Sequence, residues 1–259
     1  MLSNGGERHQ QIVQLLIDHG ADVNLADKNG VTPLKQAQTR GFKEIERLLL
    51  KAGAQVEVRA DPARDARLIA AAKKGDAELV GQLLAQGASV HARDENGVTA
   101  LIAAAYRNDL GIVDLLIQAG ADVNVQDNTR QSAYLISTSE GYVDLLKRTL
   151  RAGANVHSTD SYNGTGLIRA ADRGQVEIIQ ELLTTDIKVD HVNRLGWTAL
   201  LEAIILGNGG ARHAEVVRLL VVAGANVNLA DASGVTPLAH ARQRGFQQIV
   251  TILEGAHAR

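Results

Sequence analysis

One phrase recurs along the 259-residue chain and sets a period of about 33 residues. It opens with an acidic residue or its amide and leads through a turn into a helical stretch, as in "DENGVTALIAAA" from Asp94 to Ala105. The phrases begin, at intervals of 34, 33, 33, 33, 33 and 38 residues, at Asp27, Asp61, Asp94, Asp127, Asp160, Asn193 and Asp231. A period of this length is typical of a solenoid, in which stacked supersecondary units share one continuous core.

Each period contains the signals of two helices. A threonine that can cap a helix precedes the first helical stretch in five units, at Thr32, Thr99, Thr165, Thr198 and Thr236. A glycine that can close the last turn follows the second stretch, as at Gly120. The alanines Ala103 to Ala105 lie on a first helix, where small side chains allow neighbouring backbones to approach. We expect Tyr134, which stands at a leucine position, to fill a core site.

The repeated phrases resemble the ankyrin repeat. The turn phrase reads "DKNGVTPL" from Asp27 and "DASGVTPL" from Asp231, and the closing phrase reads "GADVN" from Gly20 and from Gly120. The resemblance covers essentially the whole chain. It implies an all-α ankyrin-repeat solenoid of about seven helix-turn-helix units, joined by β-turn or hairpin loops.

We predict a single ankyrin-repeat domain over residues 1–259. It comprises a partial N-terminal repeat at 4–26 and units starting near 27, 61, 94, 127, 160, 193 and 231. Two units depart from the turn phrase. The turn at Asp61 is expected to be reshaped around Pro62, and the first helix of the Asp127 unit, which has Ser132 for threonine, is expected to start differently.

The chain contains a second copy of its own first segment. Residues 4–49 match residues 208–253 at over half of positions. Residues 7–20 therefore predict a second helix without a first-helix partner, so its apolar flank lacks the usual cover. This flank consists of Ile12, Val13, Leu15 and Leu16. The segment is expected to be the interior of a longer duplicated array, a capping arrangement, or a surface for end-to-end association of an otherwise monomeric protein.

Composition excludes several classes of function. The net charge is −2, with acids and bases interspersed, which does not favour a nucleic-acid partner. There is no cysteine, hence no disulfide or thiolate metal site. No run of 18 apolar residues predicts a membrane span and the first residues do not resemble a signal peptide, so we expect a cytoplasmic protein, or a periplasmic or exported one if a leader was removed.

The sequence offers no catalytic, metal or cofactor site. The eight histidines do not cluster, and no nucleophile or carboxylate pair stands in a recognisable context. We therefore predict a protein without enzymatic activity.

A protein-binding role is better supported. The resemblance implies a concave face built from turn tips and first helices, and interface hot spots are enriched in Trp, Tyr and Arg. The predicted partner-binding residues are Arg93, Glu95, Tyr106, Arg107, Arg130, Tyr162, Arg169, Asp172, Arg173, Arg194, Trp197 and Glu202. Alternatively, Trp197 packs on the adjacent turn and the arginines are solvated or paired.

The leading hypothesis is a non-catalytic protein–protein interaction module whose partner the sequence does not identify. The alternative is a small-ligand, anion-binding or accessory protein that uses the region of Trp197, Glu202, Arg212 and His213. The resemblance also suggests an immunity or inhibitor partner of an enzyme.

Substitutions should separate binding from folding. We expect Trp197→Ala or Arg173→Ala to weaken partner binding and to leave thermal stability nearly intact. Leu116→Ala, on an apolar helix stripe, should lower the free energy of unfolding by about 2 to 5 kcal/mol. Thermal denaturation and affinity measurements check both expectations. Unfolding by the first two changes, with binding spared, would contradict the assignment of the face.

Overall fold

The computed structural model describes residues 5–28, 31–54 and 61–259. Asn4 of the first repeat and residues 29–30 of the first turn phrase lie outside this part. The described ranges form fifteen helices and no β-strand, with one isolated bridge between Thr159 and Thr165. The predicted all-α fold with about seven helix pairs is confirmed. The chain divides into two compact units, residues 1–59 (unit 1) and 60–259 (unit 2), and the single domain over 1–259 stays a prediction.

The described residues of unit 1 form three helices, and those of unit 2 form six helix pairs. The helices of unit 1 are α1 (Glu7–Asp18), α2 (Pro33–Thr39) and α3 (Lys43–Lys51). The first helices of unit 2 are α4 (Pro62–Lys74), α6 (Ala100–Tyr106), α8 (Ala133–Glu140), α10 (Gly166–Asp172), α12 (Ala199–Ile205) and α14 (Pro237–Gln243). The second helices are α5 (Ala77–Ala85), α7 (Leu110–Gln118), α9 (Val143–Arg151), α11 (Val176–Leu182), α13 (Ala211–Val222) and α15 (Gln247–Gly255).

Unit 2 consists of two rows of helices. Each first helix contacts the next first helix, and each second helix contacts the next second helix. The close approach in the first row depends on small residues, and Ala104 and Ala105 are fully buried. Tyr134 is also buried, and its hydroxyl donates to the carbonyl of Val156 at 3.2 Å. Both predictions, alanines as packing and Tyr134 as core, are confirmed.

The first helices start where local capping rules place them. The Thr99 hydroxyl accepts a hydrogen bond from the Ile102 N–H at 3.2 Å, and Ser132 accepts from Leu135 in the same way at 3.2 Å. The expected different start in the Asp127 unit is therefore wrong, because serine replaces threonine as a cap without changing the register. In the unit at residue 61, the aspartate caps a 13-residue helix that begins directly at the following proline.

The N-terminal helix α1 exposes the flank that its duplicate buries. Ile12 and Leu16 are each 54% exposed, whereas the matching Val216 and Leu220 of α13 are completely buried. An apolar groove of about 400 Å³ lies along this flank within unit 1. The prediction of an apolar flank without cover is confirmed.

Two glycine substitutions should change stability in opposite directions. Gly120 has φ +87°, where an alanine is strained, so Gly120→Ala should lower the free energy of unfolding by about 1 to 2 kcal/mol. Gly81 lies inside α5 with open space around its Cα, so Gly81→Ala should raise the free energy of unfolding by about 0.5 to 1 kcal/mol. Urea unfolding followed by circular dichroism measures both. Changes of the same sign in the free energy of unfolding would contradict the different backbone conformations assigned to the two glycines.

Candidate functional site

Consecutive turn tips in unit 2 are fastened to each other by hydrogen bonds. The Asn128 side chain donates to the Glu95 carbonyl at 3.0 Å. Two turns further along, the Arg194 N–H donates to the Tyr162 carbonyl and its guanidinium donates to the Ser161 carbonyl, both at 2.8 Å. These hydrogen bonds fix the backbone of the tips, and the side chains that take no part in them are presented from a rigid position.

Three of the predicted binding arginines take part in this fastening. Arg93 donates to the Gln126 carbonyl of the next turn. Arg130 donates to the Thr159 hydroxyl at 3.5 Å, and Arg194 contacts the preceding turn as described above. All three remain exposed to solvent. Their guanidinium groups hold the turns together, so their role in partner binding stays a prediction.

The predicted aromatic residues differ in exposure. Tyr106 is 49% exposed and Tyr162 is 59% exposed. Trp197 is only partly exposed, and its backbone N–H donates to the Asn193 side chain at 3.0 Å. The two tyrosines are thus the aromatic side chains that unit 2 offers most openly to solvent.

The predicted charged residues near the tyrosines remain accessible. Arg107 and Glu95 are exposed, and Arg173 approaches Glu140 at 3.7 Å with both side chains partly in water. An ion pair this exposed contributes little to stability. These side chains are free to rearrange against a partner.

In the last three units, the first residue of the turn pairs with the residue nine positions later on the first helix. The pairs are Asp160–Arg169 (Oδ2 to Nε, 3.5 Å), Asn193–Glu202 (Nδ2 to Oε1, 2.7 Å) and Asp231–His240 (Oδ2 to Nε2, 2.8 Å). The middle pair is inverted, because the helix supplies the carboxylate and the turn supplies the donor. An aspartate in place of Asn193 would face Glu202 with like charge, and the amide avoids this repulsion.

Glu202 is buried, contrary to the expectation that it lies on the exposed face. Only 5% of it is accessible, because α12 packs between neighbouring first helices. The pKa of its carboxyl group is raised to about 7, mainly because the group is buried and also because of the negative charges of Asp172 and Asp160. The hydrogen bond from Asn193 and the positive charge of Arg169 act in the opposite direction.

A small cavity of about 160 Å³ opens beside Glu202, between α10 and α12. Its polar lining includes Asp160, Arg169, Asp172 and Glu202. The last three of these residues were predicted from the sequence to bind a partner, and the structure brings them to one place.

The rim of the cavity is apolar and exposed. Tyr162, Leu195 and Leu206 border it and are 59%, 47% and 50% exposed. The two leucines were not predicted as site residues. A signal for Leu195 was present, since it occupies the third turn position like Tyr162, whereas the turn phrase of the Asp94 unit has Asn96 there.

The alternative pocket of Trp197, Glu202, Arg212 and His213 is not assembled as such. Of these residues, only Glu202 lines the cavity. The Arg212 guanidinium donates to the Gly174 carbonyl at 2.9 Å, and a His213 ring nitrogen lies 3.0 Å from the Asp172 carbonyl. Both side chains therefore join α13 to the loop between α10 and α11.

Within ranges 5–28, 31–54 and 61–259, no three His, Cys, Asp or Glu side chains are placed to hold a metal ion. In the same ranges, none of the helices combines the length and the apolar character needed to cross a bilayer.

The free energy of unfolding should depend on pH through Glu202. The pKa of its carboxyl group rises from the ordinary value of 4.5, which applies to an unfolded chain, to about 7 in the folded protein, so the folded state binds the proton more tightly. The contribution of Glu202 to stability is therefore greatest below pH 4.5 and decreases between pH 4.5 and 7, by an amount on the order of 1 to 3 kcal/mol. Glu202→Gln should abolish this decrease.

Urea unfolding at several pH values, followed by the fluorescence of the single tryptophan, Trp197, measures the effect. Glu78→Gln on α5, which alters an exposed carboxylate, serves as the control and should keep the wild-type pH profile. Parallel pH profiles for wild type and Glu202→Gln would contradict the assignment.

Comparison with known proteins identifies the same repeats along the chain. The family model described as "Ankyrin repeats (3 copies)" matches residues 2–60, 68–160, 133–231 and 167–258. These matches together cover nearly the whole chain.

Individual proteins similar to this chain are also described as ankyrin repeat proteins. The chain is 49% identical to an ankyrin repeat domain (ABAYE2397) from Acinetobacter baumannii AYE, with a TM-score of 0.72, over 74% of this chain and 98% of that one. It is 33% identical to the ankyrin repeat protein EF0377, with a TM-score of 0.70, over 72% of this chain and 96% of that one. It is also 48% identical to the putative ankyrin repeat protein YahD of Escherichia coli K12, over 26% of this chain and only 33% of YahD. The chain belongs to the ankyrin repeat family, whose domains are generally protein-binding modules and typically non-catalytic.

Proposed function

We propose that unit 2 is a non-catalytic module that binds a partner protein on the face formed by its turn tips and first helices, the face that is concave in the family. The observation that carries the proposal is the exposed apolar rim of Tyr162, Leu195 and Leu206 around a small polar cavity. Apolar and aromatic side chains around a pocket have the character of an interface hot spot.

The fixed backbone of the turns supports this proposal. Because the tips of the units from Asp94 to Asn193 are hydrogen-bonded to one another, as at Arg194 and Tyr162, this part of the surface is fixed before a partner binds. A preformed surface loses little conformational entropy on binding, which favours affinity.

The other predicted residues extend the face along the row of first helices. Tyr106 lies at the end of α6 and Arg107 follows it, while Arg173 follows α10 and reaches Glu140 at the end of α8. These positions place an aromatic ring and mobile charges along the same row as the cavity. We propose that the contact with the partner centres on the cavity and continues toward Tyr106.

Selection of displayed peptides tests the proposal without knowledge of the natural partner. A random peptide library on phage is selected on the immobilised full chain, and the dissociation constants of the enriched peptides are then measured. The peptides should bind at least about tenfold more weakly to a Tyr162→Ser, Leu195→Ser double variant, because a tenfold loss corresponds to only about 1.4 kcal/mol.

Val222→Ser is the matched control, since Val222 is 74% exposed but lies at the end of α13 in the row of second helices. Circular dichroism establishes that each variant is folded. Peptides that bind the double variant as tightly as wild type, or that lose affinity only on Val222→Ser, would refute the proposed face.

A further inference from the structure

We propose that the cavity between α10 and α12 binds the guanidinium group of an arginine side chain from the partner. This inference rests on the proposed function, because it names the chemistry that the same face recognises. Charge, burial and the shape of the rim each contribute to it.

The carboxylates around the cavity exceed the positive charge available to them. Asp160 is already compensated, since Arg169 lies 3.5 Å away and the N–H groups of Tyr162 and Gly164 donate to its Oδ1 at 2.8 Å. The carboxylate of Asp172 has no ion pair or side-chain hydrogen bond with any described residue of the chain. Arg169 is the one cation among the residues that line the cavity, and it is paired with Asp160. Asp172 and the nearby Glu202 therefore have no ion-pair partner of their own.

Glu202 also has an oxygen without a partner. Its Oε1 accepts from Asn193 at 2.7 Å, but Oε2 accepts no hydrogen bond from the part of the chain that the structure describes. Only 5% of the residue is accessible, and it borders the cavity. This oxygen is not sealed off from solvent, so a cationic donor in the cavity can reach it and form a charge-assisted hydrogen bond with it.

The rim favours arginine among cationic ligands. The planar guanidinium carries five N–H donors, which can serve Glu202 on α12 and Asp172 on α10 together. Its aliphatic stem would lie against Leu195 and Leu206, and the ring of Tyr162 offers a surface on which a guanidinium can stack. The cavity of about 160 Å³ has room for one such head group.

Affinity for the cation should rise with pH. The pKa of Glu202 is about 7, so a part of this carboxylate is protonated at neutral pH. The charged groups facing it are Asp172 and Arg169 on α10 and Asp160 in the turn. The neighbouring first helix on the other side, α14, carries His240, which is paired with Asp231 of its own turn. Binding of guanidinium favours the ionised carboxylate, so it should strengthen between about pH 6 and 8.

Nuclear magnetic resonance titration of the full chain tests the inference. The probe is N-acetyl-arginine amide, and the matched ligand is N-acetyl-citrulline amide, which has a neutral group of the same shape. The arginine derivative should cause saturable shifts of the Trp197 and Gly164 amide signals, since both N–H groups donate to residues that line the cavity. The citrulline derivative should cause none.

Variants assign the binding to the two carboxylates. Glu202→Gln and, independently, Asp172→Asn should each weaken binding of the arginine derivative at least tenfold, whereas Glu78→Gln should not change it. The spectra of the free variants show whether each is folded, and either carboxylate variant suffices if the other fails to fold. Equal shifts with citrulline, the same saturable shifts with magnesium chloride, absence of saturable shifts with arginine, or unchanged binding by both carboxylate variants would overturn the inference.

The two proposals fail separately. Peptides that lose affinity on the Tyr162→Ser, Leu195→Ser variant but bind Glu202→Gln and Asp172→Asn like wild type would leave the proposed function in place and overturn the arginine site. Conversely, arginine-specific shifts without any effect of the rim variant on peptide binding would overturn the proposed face alone.

Discussion

The stacking of each helix pair on the next is the interaction on which the rest of the structure depends. A second helix cannot cover its own apolar flank, as the two copies of one segment demonstrate. Val216 is completely buried in α13, whereas the matching Ile12 in α1 is 54% exposed. The sequences are similar, so the difference lies in whether neighbouring helices are present. Hydrophobic stabilisation in such an array belongs to the contacts between units more than to the units themselves.

This arrangement separates the residues that hold the fold from those that can vary. The small residues of the first helices and the caps at Thr99 and Ser132 fix the backbone. Hydrogen bonds between consecutive tips then fix the turns. Side chains at the third turn position take no part in these contacts, which is why a tyrosine and a leucine can stand there in adjacent units and form the rim of a cavity.

Much of the fold could be predicted because its causes are local. Capping threonines, buried alanines and Tyr134 all follow from rules that act within one unit. The burial of Glu202 could not be predicted in this way, because it depends on α10, whose residues precede it by about one period. The role of Arg93 in bonding the next turn was missed for the same reason. A signal for Glu202 did exist, since Asn193 is the only amide at the first position of a turn phrase and has a glutamate nine residues later.

In the last three units, the first residue of the turn performs two tasks with two different atoms. In Asp160 and in Asn193, Oδ1 accepts from the N–H groups two and four residues later, at 2.8 to 3.0 Å. The second atom of each side chain faces the first helix and is an acceptor in one case and a donor in the other. A paired exchange of acid and amide therefore reverses the polarity of a site without disturbing the turn. Duplicated units can thus diverge in the ligands they select while the scaffold keeps its stability.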